Sequence, residues 1–75
     1  MPTVTITFDG EHFRKVAESF GDKTLEDIAE RTGLDAGLLS RLVTGKRQPR
    51  FATAIQCADA YKRSASEFAK REVAA

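Results

Sequence analysis

The sequence predicts an all-α fold, five short helices with one β-strand added at the N-terminal side. Three observations lead there. Residues 3–8 alternate strictly, whereas from residue 10 onward apolar residues recur at helical spacing. Capping residues and glycines cut that helical pattern into short pieces. A chain of 75 residues allows one domain, and at that size only about 60% of the unfolded surface is buried. The division follows as an N-terminal strand or arm over residues 1–8 and a helical domain over residues 9–75.

In the strand, Thr3, Thr5 and Thr7 fall on one face and Val4, Ile6 and Phe8 on the other. A lone strand leaves its ladder groups without a partner. It can pair antiparallel with its copy in a second subunit, lie against its own domain beside the Val73 tail, or form a disordered arm. The first reading makes Val4, Ile6 and Phe8 a dimer interface.

Asp9 caps the first helix, Gly10 to about Phe20, with Phe8 and Phe13 placed for a hydrophobic staple. Its buried stripe is Phe13, Val16, Ala17 and Phe20. Gly21, Asp22 and Lys23 form the turn. Thr24 caps the second helix, with Asp27 three residues on completing a capping box. Leu25, Ile28, Ala29 and Thr32 form its stripe, and Gly33 ends it in the left-handed conformation. Asp35 caps a third helix, about Ala36 to Thr44, that buries Leu39 and Leu42.

The other face of that third helix carries Ala36, Gly37, Ser40, Arg41 and Thr44. Gly45 ends it, and Lys46, Arg47, Gln48, Pro49 and Arg50 follow at once. From Ala36 to Ala58 there are four cations (Arg41, Lys46, Arg47 and Arg50) and no carboxylate. Net charge is only +1, so the basic character is local, which argues against sequence-blind polyanion binding. A fourth helix is marked by Phe51, Ala54, Ile55, Ala58 and Tyr61. A second capping box, Ser64 with Glu67, opens a fifth around Ala65 to Glu72 with Phe68 inward.

Two short helices about a glycine turn, with a basic loop behind the second, resemble the helix-turn-helix of the phage repressor and Cro class. Thr24, Glu26, Ile28, Ala29, Gly33, Leu34, Asp35, Leu39, Ser40, Arg41, Leu42, Gly45, Lys46 and Pro49 fill that family's pattern in register. A weaker likeness runs from Phe13 to Phe68. The resemblance implies a five-helix core but not the strand. It implies a transcriptional regulator that binds a pseudo-palindromic double-stranded DNA operator as a homodimer, with the third helix in the major groove.

By that resemblance Arg41 reads bases, suited to guanine O6 and N7. Ala36 and Gly37 fill other reading positions without a side-chain donor; Ala36 suits a thymine methyl, and bare backbone at Gly37 permits close approach. Lys46, Arg47 and Arg50 fit phosphate contacts, with Gln48 among them. Arg50 stands where the family has a serine cap, which points it toward DNA and a minor groove. Thr24 and the first amides of its helix suit a phosphate anchor. The family's helix-one arginine and reading-helix glutamate match Ala17 and Val43, both apolar.

Other chemistry is weakly supported. His12 is the single histidine and reads as a surface residue; Cys57 reads as a core filler. No spacing suggests a metal site, a cofactor or catalysis. One cysteine, no signal peptide and no long apolar run suggest a cytoplasmic protein with no membrane partner. With no room for a sensing domain, control would come from concentration, competition or a regulatory protein partner. Two alternatives remain. One is a ribbon-helix-helix-like binder reading DNA with Thr3, Thr5 and Thr7. The other is a protein-interaction module such as an antitoxin or antirepressor.

Overall fold

The computed structural model describes residues 3–74; Met1 and Pro2 of the expected arm lie outside the described residues. The elements are β1 (Thr3–Phe8), α1 (Gly10–Ser19), α2 (Leu25–Thr32), α3 (Ala36–Val43), α4 (Phe51–Ala60), a 3-10 turn (Ala65–Phe68) and β2 (Ala69–Ala74). Each of the first three helices starts on a side-chain cap. The Asp9 carboxylate accepts from the His12 amide at 3.1 Å and that of Asp35 from the Leu38 amide at 3.1 Å. Thr24 and Asp27 close a reciprocal capping box. Gly33 and Gly45, at φ 76° and 78°, provide the left-handed residues that let the chain leave α2 and α3.

The core gathers one stripe from each helix. Phe13, Val16, Ala17, Ile28, Leu39, Leu42, Cys57, Ala58, Tyr61 and Phe68 are all buried. Phe13 is central: its ring meets Tyr61 and Phe68 edge-on at 5.6 and 5.4 Å. The Phe8–Phe13 staple forms, with ring centroids 5.5 Å apart. Two expected core residues lie elsewhere. Phe20 caps the end of α1 and is 38% exposed, and Phe51 is 82% exposed.

The fold departs from five helices and from an all-α class. Ser64 and Glu67 form no capping box, because the Ser64 hydroxyl bonds to that of Ser66 and the Glu67 carboxylate is held by His12 and Arg63. The segment makes one 3-10 turn that buries Phe68. The Phe68 carbonyl then accepts the Asp9 amide at 2.6 Å, which brings the following residues alongside β1. There they form β2, antiparallel, with Thr3 opposite Ala74, Val4 opposite Val73, Ile6 opposite Arg71 and Phe8 opposite Ala69.

The lone strand therefore has a partner in its own chain. Of the three readings given above for the strand, this is the second, in which it lies on its own domain beside the Val73 tail, and it takes the place of the intermolecular pairing. It also removes the ribbon-helix-helix alternative, which needs the first strand paired between two chains. Tyr61 and Phe68 are buried in the core, at 0% and 1% exposure.

Candidate nucleic-acid interface

The turn between α2 and α3 is fixed by one buried hydroxyl. Thr32 Oγ1 donates to the Ile28 carbonyl at 2.8 Å and accepts the Leu34 amide at 3.2 Å. From α4, Gln56 Nε2 donates to the Thr32 carbonyl at 2.7 Å. The Thr32 carbonyl and the Leu34 amide are thus satisfied, and the turn between α2 and α3 is held by hydrogen bonds as well as packing. Neither Thr32 nor Gln56 stood out in the sequence as a positioning residue. A threonine on an apolar stripe and a glutamine on a helix carry no signal until their partners are known.

On α3, Leu39 and Leu42 face the core, leaving Gly37, Arg41 and Thr44 exposed and Ala36 and Ser40 half-buried. Arg41 is the one long polar side chain on this face. Its carbonyl accepts the amides of Lys46 and Arg47 at 2.9 and 3.3 Å, folding the basic loop back over the end of α3. Lys46, Arg47 and Arg50 are exposed around it. Arg50 occupies the N-cap position of α4 without a side-chain cap bond, as its chemistry requires. Thr44 Oγ1 donates to the Ser40 carbonyl at 2.7 Å, so that hydroxyl serves the helix end. Thr24 is exposed at the start of α2, its hydroxyl engaged by the Asp27 amide at 3.2 Å.

Two residues expected at the surface have internal roles. Gln48 Oε1 accepts the Phe8 amide at 2.8 Å and so ties the basic loop to β1. Gly37 makes room for a cap: a Cβ there would sit 2.9 Å from the Asp35 carboxylate that holds the start of α3.

The approach of α1 to α3 depends on Gly10. A Cβ at residue 10 would meet the Leu42 carbonyl oxygen at 2.5 Å and the Val43 Cα at 2.6 Å. Ala17, matched above to the family's helix-one arginine, is instead fully buried. Glu11, Arg14, Lys15 and Glu18 of α1 share a cleft with Val43 and Thr44, and the Arg14 guanidinium donates to the Lys23 carbonyl at 3.3 Å.

Behind the interface lies a polar cluster that sequence reading did not identify. Asp22 accepts hydrogen bonds from Arg31 Nε and from the Tyr61 hydroxyl, the latter at 2.7 Å. Arg31 lies over the rings of Tyr61 and Phe20, 5.3 and 5.5 Å from their centroids. The Arg31 bond, then that from Tyr61, hold the Asp22 carboxyl below its ordinary range. Burial, then the bond to Asp22, push the Tyr61 phenol up. This cluster joins the α1–α2 turn to the end of α4.

His12 stands at the surface and Cys57 in the core, as their positions in the sequence suggest. His12 Nε2 is 2.9 Å from Glu67 Oε2, its ring against Phe68, and Cys57 is a fully buried free thiol whose pKa burial pushes up to about 11. Among the described residues, no helix is long and apolar enough to cross a membrane.

Comparison with known proteins agrees with this geometry. No curated protein and no solved structure matches the chain. One family model does, described as a helix-turn-helix domain, over residues 10–70, which takes in all four helices and the 3-10 turn. The chain belongs to the helix-turn-helix domain family, a family of DNA-binding domains.

Proposed function

We propose that this chain is a sequence-specific regulator of transcription that binds double-stranded DNA in the manner of phage repressors and Cro proteins. Two copies would bind a pseudo-palindromic operator, each placing α3 in the major groove. The reading rests on one observation above all. The exposed face of α3 and the loop behind it present Arg41, Lys46, Arg47 and Arg50 together, in a stretch from Ala36 to Ala58 that contains no carboxylate.

In this reading Arg41 supplies direct readout, while Lys46, Arg47 and Arg50 neutralise phosphates. The first amides of α2, beside Thr24, face an anchoring phosphate. Ala36 and Gly37 offer no side-chain donor, so part of the specificity falls to DNA shape. The protein acts by binding, not by catalysis.

Selection from a random double-stranded library tests the proposal. It should enrich a two-fold site with half-sites about 34 Å apart, one helical turn. Enrichment of no motif, together with binding that does not distinguish sequences at any salt concentration, would refute it.

A further inference from the structure

Helix α4 holds the entry of α3 through one side chain. Gln56 Nε2 donates to the Thr32 carbonyl at 2.7 Å, across 24 residues of sequence. A Cβ built on Gly33, the left-handed residue that follows, would meet the same amide at 3.5 Å. Among the described residues, no other hydrogen bond joins α4 to α2, α3 or the turn between them.

Arg50, Thr53 and Gln56 follow at three-residue intervals, which sets them along one side of α4. Arg50 and Thr53 share a cleft with Arg47 of the basic loop and with Leu38 in the first turn of α3. Gln56, one turn further on, reaches the turn before α3. Cys57 and Ala58, fully buried, seat α4 in the core. One core-anchored helix thus meets both the entry of α3 and the loop that follows its exit.

We infer that Gln56 is a positioning residue for sequence discrimination: its bond to the Thr32 carbonyl sets the tilt of α3, and with it where Arg41 stands relative to the loop cations. The inference rests on the DNA reading proposed above. Arg41 lies six residues beyond the Asp35 cap, about 9 Å along the helix. A tilt of about 10° at the turn moves residue 41 by ~1.5 Å, beyond the ~0.5 Å within which a binding group must be held. Base-edge hydrogen bonds fail on such a shift. Phosphate contacts from long exposed cations tolerate it, and they carry no sequence information. Gln56 is itself exposed, so water replaces the lost donor and the fold loses little. Discrimination between sequences is the property that depends on the bond.

Gln56→Met removes the donor while keeping the length of the side chain and its helix propensity. Two measurements are paired on this variant. In the free protein, hydrogen exchange at the Leu34 amide, which donates to Thr32 Oγ1, should accelerate, while circular dichroism and melting stay close to wild type. On DNA, affinity for the sequence that the wild-type chain selects should fall about tenfold, and affinity for random-sequence duplex should hold within about twofold. A residue that served stability alone would leave the ratio of those affinities unmoved. Equal losses on both duplexes would overturn the inference, because they mean a direct phosphate contact by Gln56. Unchanged discrimination in the folded variant would overturn it whatever the exchange rate. A wild-type chain that selects no sequence would refute the DNA reading; faster Leu34 exchange in the variant would then still uphold the clamp on the turn, and an unchanged rate would overturn it.

Discussion

Gln48 Oε1 accepts the backbone N–H of Phe8 at 2.8 Å, so the loop behind α3 is fastened to the first strand. Gln48→Ala should leave that amide to solvent and cost about 0.5–1.5 kcal/mol. Hydrogen exchange at Phe8 is the direct measurement: it should accelerate in the variant while amides in the middle of α1 keep their protection. An unchanged Phe8 rate would mean the side chain is free to serve the DNA surface.

Arg41 and the loop cations should separate by the kind of binding energy they contribute. Arg41→Ala should cost about 1–3 kcal/mol on the preferred site and relax discrimination at one position of each half-site. Lys46→Ala or Arg47→Ala should weaken all sequences similarly and flatten the dependence of affinity on salt. Titrations at several salt concentrations on matched and mismatched sites distinguish the two. Arg41→Ala binding with wild-type affinity and discrimination would exclude α3 as the reading helix.

Glycines 10 and 37 should respond differently to the same substitution. At residue 10 an added Cβ meets backbone atoms of α3, which cannot move without moving the helix. Gly10→Ala should destabilise by about 1–3 kcal/mol, the usual cost of overpacking. At residue 37 the obstacle is the end of the Asp35 side chain, and the gain in helix propensity, about 1 kcal/mol, offsets a displaced cap. Gly37→Ala should therefore stay within about 1 kcal/mol of wild type. Urea unfolding of both variants decides; equal losses would contradict the close crossing at Gly10.

The Asp22 cluster makes stability depend on acid. Its folded pKa lies below the ordinary value near 3.8, so the contribution is complete above that value and is lost as pH falls through the folded pKa. Asp22→Asn should be less stable than wild type at neutral pH, and the gap should narrow below pH 3.8. Tyr61→Phe, which removes one bond to the carboxylate, should cost about 1.5–3 kcal/mol at neutral pH. Denaturation curves at a series of pH values check both; a gap constant from neutral to strongly acid pH would contradict the assignment.

What could be read in the sequence was local. The caps at Asp9, Thr24 and Asp35 and the glycine exits at 33 and 45 act within four residues, and the structure contains each of them. The face of α3 followed from the spacing of Leu39 and Leu42. The Val73 tail was one of the places open to the first strand, but that this tail is itself a strand was not legible, because Lys70, Arg71 and Glu72 carry no apolar alternation and the residues they pair with lie at the other end of the sequence. Ser64 with Glu67 had the form of a cap, but competing partners took both side chains. Asp22, Arg31 and Tyr61 come from three separate elements, and no period relates them.

The pairing of β1 with β2 has a consequence for the order of assembly. The entire helical body lies between the two strands, so the ribbon closes the longest loop in the fold and gains least until the helices have shortened it. The helices that carry the basic surface depend on near neighbours and can condense first, before the ribbon registers. In a newly made chain, the basic face of α3 would therefore be in place before the ribbon closes.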